Sequence, residues 1–266
     1  MTTHVCIAGA TGWVGAELSR AVHAASDLTL SGAIARSCAG RPLGRVIGIP
    51  ALVLQVCAGA GEALSGPCDV FVEFSHPAVA KTHVLQALAA GAHAVVGTSG
   101  LTDEEYDEID RAAQNAGRGV LAAGNFALTA VLLQKFATLA ARHIPHWEVI
   151  DYAGAAKPDA PSGTARELAY RLGRVQRPQL TVPADQVIGP RESRGATLGG
   201  CQVHSIRLPG YVASVEVVFG LPEMQLRLRH DAGTSARPYV DGALLAIRHV
   251  SSLKGLRRGL DAVMDI

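Results

Sequence analysis

Short apolar runs alternate with amphipathic stretches through the first half of the chain, and the period of each run predicts its element. Val5–Ala8 reads as a buried strand, followed after a glycine-rich turn by an amphipathic helix over about Ala16–Ala25. A second strand covers Thr29–Ala35, a third Val70–Phe74, and a helix fits Ala78–Ala90. Ala94–Val96 is again a strand, Thr102-Asp103-Glu104-Glu105 opens a helix to about Ala116 with a capping-box pattern, and Gly119–Ala122 is a further strand. This β-α alternation implies a parallel sheet with right-handed crossovers, a Rossmann-type doubly wound α/β fold.

The pattern changes after Asn125-Phe126. Ala130–Ala141 is a predicted helix, Trp147–Tyr152 a strand and Ala165–Leu172 a helix. Gln202–Leu208, Ser214–Phe219 and Met224–Arg229 then alternate like antiparallel strands. Pro183–Gly200, rich in Gly, Pro and Arg, reads as a loop or crossing arm, and the chain ends with a helix at about Val240–Val250 and a short tail. The expected organisation is a dinucleotide-binding domain over residues 1–126, an inserted α+β domain over 127–237, and a return to the first domain over 238–266.

Two segments carry chemistry. Gly9-Ala10-Thr11-Gly12-Trp13-Val14-Gly15 lies between a strand and a helix, the context in which such glycines form a dinucleotide turn. Gly9 suits the tight turn, Gly12 admits a pyrophosphate, and Gly15 lets helix and strand pack closely. The second strand ends in Ala35-Arg36-Ser37, with no acid for ribose hydroxyls. Arg36 is able to pair with a 2′-phosphate and Ser37 to donate to it, so NADPH is expected over NADH, with NADH still accepted.

The second segment is Lys157-Pro158-Asp159-Ala160-Pro161-Ser162-Gly163-Thr164-Ala165. Ser162, Gly163 and Thr164 open a helix, where hydroxyls and unpaired backbone N–H groups bind carboxylate or phosphate, and Lys157 brings a charge or a proton to the same spot. Taken alone, the segment also reads as a plain helix start, capped by Ser162 or Thr164 and stiffened by Pro161.

Composition narrows the field. Hydrophobic residues make up 48% and charged residues 18%, an ordinary globular balance, and a formal net charge of +1 gives no case for nucleic acid. Cys6, Cys38, Cys57, Cys68 and Cys201 show neither paired nor metal-ligand spacing, so no metal site is expected and a reducing cytoplasm suits them. Cys6 falls in an apolar strand as a small buried residue. The first residues, Met1–Ala8, lack a basic leader, and no apolar stretch is long enough for a membrane span. His4, His23, His83, His93, His143, His146 and His249 are scattered singly and read as surface or packing residues. His76 could touch the nicotinamide ribose, and His230 is a candidate for the substrate cleft.

Taken together, these motifs resemble the dihydrodipicolinate reductases of lysine and diaminopimelate biosynthesis over nearly the whole chain. Glu73-Phe74-Ser75-His76-Pro77 is similar to the family's acidic-Phe-Ser/Thr-x-Pro segment, and Gly97-Thr98-Ser99-Gly100 to its turn beside the nicotinamide. Gly124-Asn125-Phe126-Ala127 matches the family's Ala-Asn-Phe-Ser hinge in part, and Lys157–Ala165 matches its most specific motif without a gap. The likeness continues through His204–Gly210. The resemblance implies hydride transfer from a nicotinamide cofactor to a cyclic unsaturated imine dicarboxylate. It implies cofactor contacts at Phe74, Gly97, Thr98, Ser99, Gly124, Asn125 and Phe126 as well as at the Gly9–Gly15 turn. It implies substrate contacts at Ser162, Gly163 and Thr164, and Lys157 as proton donor or charge partner. It also implies a homotetramer built on the sheets of the inserted domain.

One departure stands out. Ahead of the lysine, family members carry two adjacent histidines, the first an acid/base and the second a substrate contact. Here those positions hold Ala153 and Gly154. Ser214 stands where relatives often have another histidine, and the hinge serine is Ala127. Three readings follow: a divergent reductase with Lys157 as principal acid and Tyr152 or water as a candidate relay; a reductase of a different imine or unsaturated acid; or an NADPH-binding protein without turnover.

Overall fold

The computed structural model describes residues 2–264; Met1, Asp265 and Ile266, at the ends of the expected first and last segments, lie outside the described residues. These residues separate into two compact units, one within Met1–Leu128 and Ala236–Ile266 and the other Thr129–Ser235.

In the first unit the chain runs β1 (Thr3–Ala8), α1 (Trp13–Ala24), β2 (Leu28–Ile34), α2 (Leu43–Ile47), β3 (Val56–Cys57), α3 (Ala60–Ala63), β4 (Val70–Glu73), α4 (Pro77–Ala89), β5 (His93–Val96), α5 (Asp103–Ala116) and β6 (Gly119–Ala122). Among the described residues seven strands form one sheet in the order β12-β6-β5-β4-β1-β2-β3, all parallel, where β12 (Gly255–Arg258) enters after the second unit. The apolar runs explain the buried strands. All of β4 and β6 and the last four residues of β1 are buried, as a parallel sheet covered on both faces requires. α4 packs against α5 over Val84, Leu88, Ala94, Val96 and Ile109. α1 packs against α8 (Val240–His249), the helix that brings the chain back to this unit. The predicted capping box is present at α5, where Thr102 Oγ1 accepts from Glu105 N and the Glu105 carboxylate accepts from Thr102 N. Cys6 is fully buried, as its strand position led one to expect.

The second unit holds α6 (Leu128–Ala140), β7 (Trp147–Ala153), α7 (Gly163–Val175), β8 (Ala196–Leu198), β9 (Cys201–Arg207), β10 (Ala213–Leu221) and β11 (Met224–Ala232). Its five-stranded sheet has the order β11-β10-β7-β9-β8. One face is apolar and carries α6 and α7: Leu133 and Ala137, Leu168 and Leu172 pack on Trp147, Val149, Val203, Val217 and Phe219. Each such fully buried aliphatic or aromatic side chain contributes about 1.5–3 kcal/mol.

Two sequence expectations are corrected here. β10 and β11 are antiparallel as expected, but β9 does not join them; it pairs parallel with β7, and β7 lies between β9 and β10. Alternation along a strand fixes which face it buries and is silent about its neighbour. The expected arm Pro183–Gly200 also contains a strand, β8, which pairs antiparallel with β9. No helix among the described residues is long and apolar enough to cross a membrane.

Candidate active site

The first unit gathers its candidate residues around the C-terminal ends of β1, β2, β4 and β5. Gly9 has φ +78°, and a Cβ there would run into the Phe74 carbonyl; a Cβ on Gly15 would run into the Gly9 carbonyl. Both close approaches seat the turn under α1 and leave no room for a side chain. Gly12 caps α1 with extended backbone and offers no side-chain hydrogen bond, so the first-turn N–H groups from Trp13 to Gly15 lack an internal cap. Ala10 is buried and Trp13 is exposed, its ring edge-on to Tyr239 at 5.7 Å.

A cleft of about 470 Å³ opens over this turn, lined by Gly9, Thr11, Gly12, Arg36, Ser37 and Phe74 among others. Arg36 and Ser37 are exposed on a single turn after β2, where no acid stands. His76, Val79 and His83 line the same cleft from α4. His76 Nδ1 accepts from Ala78 N at 3.2 Å and so caps α4. His83, expected as a surface or packing residue, is part-buried, and its Nδ1 lies 2.8 Å from the fully buried Glu73 carboxylate. A helix-face reading of positions 76, 79 and 83 was the available signal, since three and seven residues apart they share one side of α4.

Gly97, Thr98 and Ser99 follow β5. Gly97 N and Thr98 N both donate to the Glu73 carbonyl, at 2.9 and 3.2 Å, and the Phe74 ring lies directly against Gly97. Gly124, Asn125 and Phe126 follow β6. Asn125 Oδ1 accepts from Ala127 N at 2.8 Å, and the buried Phe126 ring packs on Phe74 at 5.4 Å.

In the second unit, β7 delivers the chain through Ala153-Gly154 into the loop that carries Lys157, and the loop ends on α7. Ser162 is the N-cap, its Oγ accepting from Ala165 N at 3.3 Å, so Gly163 and Thr164 form the first helical turn. The capped helix start read from the sequence is therefore present. Lys157 Nζ lies 2.8 Å from Asp159 Oδ1, and this ammonium holds the Asp159 carboxyl below its ordinary range.

A buried ion pair fixes the loop. Asp151 Oδ2 accepts from Arg207 Nη2 at 2.6 Å and from Ser162 N at 2.8 Å, while the same Nη2 donates to the Asp159 carbonyl at 2.6 Å. Asp151 is 1% exposed. Sequence reasoning missed this pair, whose members are 56 residues apart. An acid buried in mid-strand, on the same side of the strand as Val149 and Ala153, was the only sign of it.

Ala153 is buried and makes no side-chain hydrogen bond. A Cβ at Gly154 would meet the Tyr211 carbonyl at 3.2 Å, a close contact. Tyr152 points to the opposite face of the sheet. Its hydroxyl donates to Glu216 at 2.8 Å, the Arg229 guanidinium lies 4.6 Å over its ring, and burial with the Glu216 hydrogen bond pushes its pKa up. This removes Tyr152 as a relay on the Ala153 side. His230 is likewise a packing residue, buried with Nδ1 2.9 Å from Thr129 Oγ1. Ser214 is buried opposite Tyr152 and Asp231. Among the described residues no cluster of His, Cys, Asp and Glu has the makings of a metal site.

The uncapped α1 turn, the glycine cradle and the Arg36–Ser37 corner together fit a pyridine dinucleotide. Comparison with known proteins agrees. The family model described as Dihydrodipicolinate reductase, N-terminus, matches residues 3–126, and its C-terminus counterpart matches residues 129–264. A 4-hydroxy-tetrahydrodipicolinate reductase of Thermosynechococcus vestitus is 37% identical over 269 residues, covering 98% of this chain and 96% of the relative. The enzyme of that name from Moorella thermoacetica is 37% identical over 267 residues, covering 99% and 98%. Among solved structures, a dipicolinate-bound dihydrodipicolinate reductase from Paenisporosarcina sp. TG-14 superposes with a TM-score of 0.85 at 28% identity, covering 99% of this chain and all of that one. An amine dehydrogenase from Mycobacterium smegmatis, at a TM-score of 0.67 and 15% identity, shares the fold. With both halves matched and relatives above one-third identity end to end, this chain belongs to the dihydrodipicolinate reductase family and is an NAD(P)H-dependent oxidoreductase.

Proposed function

We propose that this chain reduces 4-hydroxy-tetrahydrodipicolinate to tetrahydrodipicolinate, taking up one hydride and one proton while the 4-hydroxyl leaves as water, a step of lysine and diaminopimelate biosynthesis, with NADPH preferred and NADH accepted. The observation that carries this reading is the ungapped Lys157–Thr164 loop, clamped by Asp151 and Arg207 onto the start of α7 in a chain of this family.

The bound cofactor supplies the hydride. Gly9, Ala10 and Gly12, whose own N–H groups donate to Ile34 O and Gly9 O, shape the turn, and Thr11 with the first α1 turn of Trp13, Val14 and Gly15 would hold its pyrophosphate through backbone N–H groups. Arg36 and Ser37 bind a 2′-phosphate, which favours NADPH. Phe74, Gly97, Thr98, Ser99, Gly124, Asn125 and Phe126 orient the nicotinamide end. Gly163 and Thr164, with Ser162 holding the turn, bind a substrate carboxylate. Lys157 neutralises charge on the ring and delivers the proton from its ammonium group, which lies 2.8 Å from Asp159 Oδ1. One general acid of this kind contributes about 10²–10⁴-fold.

Ala153 and Gly154 support a second reading. Two small residues at the family's histidine positions open space for a bulkier or less charged imine, so the substrate would differ while Lys157 and Thr164 keep their roles. A cytoplasmic homotetramer completes the proposal. It is supported by an apolar hollow of about 970 Å³ on the second unit, walled by Trp147, Ile150, Leu180, Val182, Ile188 and Val218, and by the exposed Met224 and Leu226 of β11.

The deciding assay supplies the dihydropyridine dicarboxylate precursor with NADPH and follows loss of nicotinamide absorbance. Turnover by the natural chain that disappears in Lys157→Ala is the expected result. Turnover that appears only after Ala153→His and Gly154→His points to the second reading. Ala153→His alone belongs in the set, because Gly154→His asks the Tyr211 carbonyl to move. Sedimentation velocity tests the tetramer.

A further inference from the structure

Glu73 is out of place in its strand. β4 is otherwise Val70, Phe71 and Val72, and a fully buried carboxylate at its end costs several kcal/mol in desolvation that a hydrophobic residue would not incur. The desolvation is offset by a full set of donors. Ser75 N donates to Glu73 Oε1 at 2.7 Å, Ser75 Oγ donates to the same oxygen, Thr98 Oγ1 lies 3.2 Å from it, and His83 Nδ1 lies 2.8 Å from Oε2. Those donors come from three different places: the turn after β4, the turn after β5, and the cleft-facing side of α4. The Glu73 carbonyl adds Gly97 N and Thr98 N to the same junction.

We propose that Glu73 and His83 are paired positioning residues that set the cofactor in its cleft. The carboxylate ties the Phe74–Ser75 turn to the Gly97–Thr98 turn, and His83 ties both to the wall of the cleft. Movement at one turn is therefore passed to the other through a single buried group. One carboxyl group, with two oxygens, meets all these partners at once. A glutamine in its place offers one oxygen where the carboxyl group offers two, so either the turns or His83 lose an oxygen partner. The pairing rests on the reading of this cleft as the cofactor site, so the test includes a control for that reading.

The experiment measures NADPH affinity by fluorescence titration, KM for both substrates, and the melting temperature with and without NADPH. It compares Glu73→Gln, His83→Leu, His83→Asn and, as the control, Arg36→Ala. Glu73→Gln and His83→Leu are expected to weaken NADPH by about tenfold and to leave KM for the imine within about twofold. They are also expected to shrink the rise in melting temperature that NADPH produces. His83→Asn keeps an N–H donor for the carboxylate and is expected to recover most of the affinity. A merely structural pair would lower the melting temperature without splitting the two KM values and without rescue by asparagine. If Arg36→Ala weakens NADPH while Glu73→Gln and His83→Leu leave it unchanged, the pairing is wrong and the cofactor reading stands. If none of the three variants alters NADPH binding, both are wrong. Should Glu73→Gln fail to fold, His83→Leu against His83→Asn decides alone, and equal loss in both overturns the proposal.

Discussion

Two helices in this chain open on the candidate site segments, α1 after β1 and α7 after the loop that follows β7, and different forces hold them there. The first is seated by absence: a glycine at 9 and another at 15 let backbone press on backbone, and no side chain caps the helix. The second is seated by presence: Ser162 caps α7, and a buried aspartate with a part-buried arginine grips the loop ahead of it. Steric fit of the first kind tolerates almost no substitution and leaves the N–H groups open to any diphosphate. An ion pair of the second kind sets the loop through side chains instead of through backbone contact. One unit thus seats its helix by steric fit, and the other by hydrogen bonds and charge.

The sharpest way to break this comparison is Lys157→Ala. It is expected to lower kcat by about 10²–10⁴-fold, with NADPH affinity unchanged, measured by steady-state rates beside cofactor titration. Weakened cofactor binding in that variant would mean that the two sites are not separable. Next in size is Asp151→Ala, which leaves the part-buried Arg207 guanidinium without its carboxylate. It should cost about 3–5 kcal/mol in denaturant unfolding, with the surviving folded protein still binding NADPH. Asp151→Asn should recover part of that loss, since Ser162 N keeps an acceptor.

A smaller change is expected at the cofactor corner. Arg36→Ala should raise KM for NADPH by about tenfold and leave KM for NADH nearly unchanged. Equal effects on both would remove the 2′-phosphate assignment. The smallest effect concerns pH. Burial holds His230 below the ordinary imidazole pKa, so the folded second unit favours the neutral ring. The stability that this contributes is present above the unfolded pKa of about 6.5 and is lost as pH falls through the lower folded value. His230→Asn should therefore flatten the fall in melting temperature between about pH 7 and pH 5, by about 2–4 °C at most. A steeper acid slope in the variant would reverse the sign.

The same contrast explains what was legible in the sequence. The glycine turn, β1, β4 and the helices α4 and α5 are set by local sterics and by periodicity, both of which a single sequence carries. The parallel pairing of β9 with β7, by contrast, is a choice between partners far apart, and alternation is silent on it. β3 and β8 are two and three residues long, too short for a period to be seen. At the sites, Lys157 to Thr164 was readable because the residues are contiguous. The partnerships of Asp151 with Arg207 and of Glu73 with His83 were not, since each acid meets its base only after the sheet is built. His83 was set aside as a scattered histidine for that reason. Tyr152 was a relay candidate only while the face it occupies was unknown.

The strand order of the first unit has a consequence for how the protein is made. β6 is buried along its length, and its outer neighbour β12 comes from residues 255–258, synthesised after the entire second unit. While the ribosome builds residues 129–235, the nascent first unit carries β6 as an open, apolar edge, the kind of edge that recruits stray strands. The chain is therefore most exposed to mispairing not at the start of translation but through its middle, and the last strand to emerge is the one that closes the first sheet.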